Sequence, residues 1–149
     1  MLLNIVTDDE LLTSQVVKGI LLCLVVGGII NNLLKIIRSE SRIRRIINSV
    51  LFIILSVAII LIFQQFRIEG ALLKTPEYVQ GKTIRFCNVF AVGQGVEFEY
   101  EVNGKMYRNC NSFHPVFKDS ITVPGGIYMV RCTQKFPGEG RMDFSRKAE

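Results

Sequence analysis

The sequence predicts a membrane protein in two parts: a hairpin of two transmembrane α-helices, then a small all-β domain, an antiparallel barrel or sandwich of five or six strands. Three observations predict it. The long aliphatic runs lie almost wholly before Phe66, whereas turn residues, tyrosines and most charges follow it. Such a shift marks two segments built for different solvents rather than one core. The run 46–66 carries no charge, and its length of about 21 residues covers roughly 30 Å of helix, the thickness of a bilayer's hydrocarbon core. Residues 96–102 alternate apolar and acidic side chains and end on Asn103-Gly104, the residue pair of a tight β-hairpin.

Taken in order, residues 1–15 form an N-terminal tail and residues 16–66 the hairpin, with spans at 16–37 and 46–66 and a basic turn at 38–45. The second span has polar residues only near its ends, apart from Ser56. The first is interrupted by Lys18 at one end and by Asn31, Asn32 and Lys35 toward the other; lysines near helix ends can snorkel, and asparagines can bond to a neighbouring helix. Gly19, Cys23, Gly27 and Asn31 recur every four residues and predict a small-residue stripe for close helix packing. Ser49 and Ser56 share a face of the second helix. With the turn centred near residues 41–42, Gly27 comes level with Ser56. A large side chain at Gly27 is therefore expected to force the helices apart, and one at Gly28 to matter less.

Charge predicts the orientation. The helix connection holds Lys35, Arg38, Arg42, Arg44 and Arg45 against Glu40, whereas the tail holds Asp8, Asp9 and Glu10. Basic short loops stay cytoplasmic, so the tail and the β domain are expected outside, in the periplasm of a bacterial inner membrane. No cleavable signal peptide is expected, because the first residues lack a basic region and the apolar run starts late. Leu22 before Cys23 does not fit a lipoprotein cleavage site. The net charge of +5 divides into a surplus of two up to Phe66 and three beyond it, with no basic block in the second half, so nucleic acid is not an expected partner.

Residues 67–80 mix charges with Gly70 and Pro76 and read as a tether; residues 81–149 are the exported domain. Strands are predicted at 82–91, 96–102, 105–110, 120–123 and 127–133, with a short last strand around Met142 and Phe144. Turns are predicted at Gly93–Gly95, Asn103-Gly104, Pro124-Gly125-Gly126 and around Pro137-Gly138 and Gly140. The two-residue turn pairs Tyr100 with Tyr107 and Glu99 with Arg108.

No catalytic or cofactor-binding constellation emerges. Glu97, Glu99 and Glu101 could suggest paired catalytic carboxylates, but an alternating row opposite Arg108 reads as a solvated face. His114, the only histidine, precedes Pro115 in a loop and has no triad partner set. Gly93 and Gly95 lack the strand–loop–helix context of a phosphate cradle. Cys87, Cys110 and Cys132 lack zinc-site spacing. In an oxidising space one pair among them is expected as a disulfide, with the third thiol buried or free; the alternative is three reduced core cysteines. No enzyme, metal or cofactor is expected.

The stretch Tyr100-Glu101-Val102-Asn103-Gly104-Lys105-Met106-Tyr107, with Pro124-Gly125-Gly126-Ile127-Tyr128-Met129-Val130 and Phe136-Pro137-Gly138, resembles small uncharacterised bacterial domains, like those of Bacteroidota, that follow one or two membrane helices. The resemblance implies a β fold and an envelope location and no catalytic residue. The expected function is a membrane-anchored, non-enzymatic protein-binding module of the envelope, such as an immunity protein or an accessory subunit. The alternative is a structural or pore-forming oligomeric subunit capped by the β domain.

Overall fold

A computed structural model describes residues 6–38, 41–89, 93–113 and 116–148. Two helices, α1 (Asp8–Arg38) and α2 (Arg42–Lys74), precede five strands: β1 (Glu77–Val89), β2 (Gly93–Val102), β3 (Lys105–Ser112), β4 (Ile127–Cys132) and β5 (Arg141–Lys147). The chain forms two compact units. One is residues 12–69. The other joins the sheet to the first turn of α1 and the last turn of α2, since it takes in the chain up to Leu11 as well as residues 70–149.

The first helix begins well before residue 16, inside the segment read as a tail. Thr7 caps it: its Oγ1 accepts from the Glu10 amide (3.4 Å), and Glu10 Oε2 accepts in return from the amides of Thr7 (3.3 Å) and Val6 (3.2 Å). That reciprocal box satisfies amides that the first turn leaves orphaned, and Asp8, Asp9 and Glu10 suit the positive end of the helix dipole. The segment 67–80 is likewise not a tether. Helix α2 continues through Gly70 to Lys74, and β1 starts at Glu77, leaving only Thr75 and Pro76 between them.

Within the helical unit the protected positions of α1 include Lys18, Leu22, Val25, Ile29 and Asn32, and those of α2 Phe52, Leu55, Ile59 and Ile62. Their alternating three- and four-residue steps are the spacing of a seam along which two helices face each other. The stripe expected from sequence has a strict four-residue step, which moves about 40° around the helix at each repeat and so leaves such a seam. Cys23, Gly27 and Asn31 are accordingly exposed. A Cβ added at Gly19 or Gly27 would meet nothing within 4 Å, whereas one at Gly28 would sit 3.6 Å from Leu55 Cδ1. Gly28 opposite Leu55 keeps the turn centre at residues 41–42; the facing glycine is one residue on. Ser49 and Ser56 are half-buried. Ser56 donates to its own helix, to the Phe52 carbonyl at 2.8 Å, and Asn32 to the Gly28 carbonyl at 3.0 Å.

The sheet is antiparallel and open, in the order β3-β2-β1-β4-β5. It is a single sheet with β3 and β5 at its edges, where the sequence predicted a barrel or sandwich. The hairpin at Asn103-Gly104 has positive φ at both residues, 53° and 75°, and sets Tyr100 opposite Tyr107 and Glu99 opposite Arg108. Strict alternation buries Val96, Phe98, Tyr100 and Val102 with Tyr128, Val130, Cys132, Met142 and Phe144. Residues 120–123 are not a strand: Lys118–Ser120 is a single 3-10 turn, and Thr83 then organises the chain. Thr83 Oγ1 donates to the Thr122 carbonyl (2.8 Å) and accepts from the Gly126 amide (2.8 Å). Gly93 and Gly95 are not a turn but the start of β2. At Gly95 a Cβ would come within 2.5 Å of the Asn111 carbonyl oxygen, so β3 closes over it.

The seam makes a prediction opposite to the one the stripe gave. Gly28→Leu should lower the detergent melting temperature of the full chain measurably, because the side chain must displace Leu55. Gly27→Leu should leave it nearly unchanged. Equal losses from the two would mean that the helices do not pack along this seam.

Candidate functional site

The outer face of the sheet carries a charge ladder that three strands assemble. Arg85 on β1 donates from Nε to Glu97 Oε2 on β2 at 2.5 Å. Arg108 on β3 lies 3.9 Å from Glu97 and 3.5 Å from Glu99. Glu97 thus stands between cations supplied by both neighbouring strands, and Glu99 faces the one on β3. Cross-strand pairing of opposite charge holds the strands in register, and nothing here isolates a carboxyl for acid catalysis.

A disulfide shares this face. Cys87 on β1 is opposite Gly95, and Cys110 on β3 is opposite Glu97. Strands two places apart in a flat sheet lie about 9.5 Å from each other, yet the Cys87 and Cys110 Cα atoms are 6.4 Å apart and their sulfurs are bonded. The sheet is therefore sharply curled at Gly95, and the missing side chain there leaves room for the curl. Cys132, the third cysteine, is a free and buried thiol in the core. Burial, then the nearby Glu77 carboxylate, raises its pKa, which makes it a poor nucleophile.

Two buried charges organise the rest, and the sequence reading missed both. Arg131 on β4 is almost fully buried. It donates from Nε and Nη2 to the Leu72 carbonyl (3.1 and 2.8 Å), from Nη1 to the Val6 carbonyl (2.8 Å) and from Nη2 to Asp8 Oδ1 (2.6 Å). Leu72 lies in the last turn of α2, where carbonyls lack intrahelical donors. Its guanidinium carbon also lies 5.9 Å from the centre of the Tyr78 ring. In the helical unit, Lys18 Nζ sits 2.5 Å from Glu69 Oε2, whose side chain is fully buried. The amine approaches at ion-pair distance but outside hydrogen-bond geometry; Ser14 donates to the same oxygen at 3.0 Å. Lys18 is thus paired rather than snorkelling. The signals were a lone basic residue on an inner strand and a glutamate beyond the end of an apolar run.

Tyr100 closes the domain. Its hydroxyl donates to the Pro137 carbonyl (2.7 Å) and accepts from the Gly140 amide (2.8 Å). Asn109 adds a bond to the Gly140 carbonyl at 3.0 Å. A Cβ at Gly140 would fall 2.5 Å from Tyr100 Cζ, so only glycine admits the ring. Burial pushes the Tyr100 pKa up to about 12.

The site residues predicted from sequence are therefore dispersed. Lys35, Arg38, Arg42, Arg44 and Arg45 are exposed at the two helix ends that flank the connection. Cys87 and Cys110 come together and Cys132 stands apart. His114 lies outside the described residues, as do Phe90, Ala91 and Pro115, which belong to predicted strand and loop, and Glu40 of the connection. Among the described residues no three metal-ligating side chains gather.

Two outcomes follow from the buried polar groups. Tyr100→Phe should cost about 1–3 kcal/mol by stranding the Gly140 amide and the Pro137 carbonyl. In the wild type, the folded chain keeps its Tyr100 proton to about pH 12, whereas the unfolded chain loses it near 10. Over that interval the unfolded state binds fewer protons, so stability falls as pH rises. Denaturant titration should show this slope and show it reduced in Tyr100→Phe. Glu69→Ala, which leaves Lys18 buried without its counter-charge, should destabilise the hairpin by about 3 kcal/mol or more. The double change Lys18→Leu with Glu69→Leu should recover most of that loss in detergent melts; no recovery would mean that the pair does not act as a unit.

No protein-family model, curated protein or solved structure was found to match the chain, so function has to be argued from these residues alone.

Proposed function

We propose that the chain is a membrane-anchored, non-enzymatic protein-binding module of the bacterial envelope, serving as an immunity or accessory subunit. The observation that carries the anchor is exposure. Both helices are long and apolar enough to cross a membrane, and their most apolar stretches are 6% and 0% buried. A core helix of a water-soluble protein hides that surface; here Ile20, Leu24, Ile53, Ile60 and Phe63 all point outward. Lipid is the solvent that removes the cost of exposing them.

The Cys87–Cys110 bond supports an oxidising location for the sheet, in agreement with the orientation that the basic connection favours. Binding is favoured over catalysis because the polar clusters are self-satisfied: the carboxylates face arginines, Arg131 is saturated and Cys132 is buried. What the domain offers a partner is Phe117, 84% exposed, with Phe86 and Ile127 also open, and the two sheet edges, which can accept an added strand. Oligomerisation is the second reading, and one observation favours it. Cys23, Gly27 and Asn31 face away from α2, so the small-residue stripe is open to another copy.

Single-cysteine variants Ser41→Cys and Lys147→Cys, made with Cys23 and Cys132 replaced, test the arrangement in whole cells. A membrane-impermeant thiol reagent should label position 147 and spare position 41; the reverse pattern would overturn the orientation. Cross-linking the same cells through position 117 should trap a heterologous protein. A ladder of multiples of this chain alone would favour the oligomeric reading, and no product at all would count against a binding module.

A further inference from the structure

The basic residues between the helices are an orientation signal. Their placement says more. Helix α1 runs unbroken to Arg38 and α2 begins at Arg42, so Lys35, Arg38, Arg42, Arg44 and Arg45 sit on two helix ends and not on a long loop. All five are exposed. Lys35, Arg38, Arg42 and Arg44 make no ion pair among the described residues, in contrast to Lys18, Arg85, Arg108 and Arg131, which are all matched by a carboxylate.

Helix stability does not explain these cations. Lys35 and Arg38 suit the C-terminal turn of α1, but Arg42, Arg44 and Arg45 occupy the opening turn of α2, which contains no acidic residue. That end of a helix already carries positive charge, and cations there are unfavourable. Arg42 and Arg44, held against the dipole with no ion pair among the described residues, suit an anion from outside the chain. Four of the five are arginine, whose planar fork binds phosphate oxygens in pairs where lysine acts as a point charge. The cluster also lies at the end of the exposed apolar surface of both helices, where a bilayer's headgroups would begin.

We infer that this end of the hairpin binds anionic phospholipid headgroups, with the arginine guanidinia on the lipid phosphates. The inference rests on the membrane-anchor reading and adds a ligand to it. Clusters of four or more basic residues beside a membrane helix attract acidic lipid, and each residue contributes independently. The attraction is electrostatic and falls as salt shortens its range. Lipid therefore does more than dissolve the helices: acidic lipid holds one end of them.

The test uses the full chain in neutral detergent and native mass spectrometry to count lipids retained. Phosphatidylglycerol should be retained in preference to phosphatidylcholine, and the preference should shrink as salt is raised before transfer to the spray buffer. Arg38→Gln/Arg42→Gln/Arg44→Gln should weaken phosphatidylglycerol retention by roughly tenfold to a hundredfold. Lys82→Gln/Lys135→Gln/Lys147→Gln removes the same charge from the sheet unit and should leave retention unchanged. Equal retention of the two lipids by the wild type, or equal loss in both variants, overturns the inference. So does displacement by inorganic phosphate as effective as by lipid, which would reveal a small-anion site. The anchor reading is judged separately, by alkaline extraction of the wild type from phosphatidylcholine vesicles. A chain that resists extraction yet shows no lipid preference loses only the headgroup inference, and one that is extracted loses the anchor.

Discussion

A guanidinium taken out of water must be given acceptors, and the acceptors given to Arg131 tie this domain together. Two are backbone carbonyls that regular structure leaves unused: Leu72 in the closing turn of α2, and Val6 just ahead of α1. The third is the Asp8 carboxylate. They come from chain segments more than sixty residues apart, around the start of the first helix and at the close of the second, yet both belong to the same compact unit as β4. Leaving a buried charge unmatched costs several kcal/mol, so the sheet unit can tolerate Arg131 only while both segments are in place. This is why the unit cannot be defined by the sheet alone. A fragment starting at residue 80 would cut into β1 and remove every acceptor of the Arg131 guanidinium.

The same economy of means shows within the sheet. Five strands in one open sheet make a small core, and a unit of this size has little stability in reserve. Three devices compensate. The Cys87–Cys110 bond joins strands that are not neighbours and fixes the curl over Gly95. Tyr100 reaches from the sheet into the β4–β5 connection and holds it at Pro137 and Gly140. Thr83 does the equivalent for the turn before β4. Each device depends on a glycine that lets another group approach, at residues 95, 140 and 126, where an added Cβ would collide.

How much of this was legible in the sequence follows from how local each cause is. The hairpin from residues 96 to 110 depends on alternation and on two positive-φ residues, both visible in a short window, and its cross-strand pairs were fixed by counting from Asn103-Gly104. The level of the two helices was legible from the connection length. Their facing sides were not, because a small-residue stripe with a four-residue step and a seam with steps of three and four differ by one residue at Gly27 and Gly28. The helix ends were misjudged for another reason. Apolar length marks where a helix suits lipid, not where its hydrogen bonds stop; Thr7 and Glu10 extend α1 one way and the Arg131 bonds to Leu72 hold the end of α2. Long-range partners such as Arg131 with Val6 leave no sequence pattern at all.

Pairing also alters how the charges along the hairpin should be weighed. Counted from sequence, Lys18 is a cation at the end opposite the basic connection, and in the proposed orientation it would lie on the unfavourable side. Glu69 neutralises it within the helical unit, and Asp8 is in turn held by Arg131. Asp9 and Glu10 remain exposed at that end, against Lys35, Arg38, Arg42 and Arg44 at the other. A membrane responds to charge it can see, and paired buried charge is largely hidden from it. The Lys18–Glu69 pair is neutral as a unit, so the electrostatic asymmetry between the two ends is kept, and the one lysine that argued against the proposed topology ceases to do so.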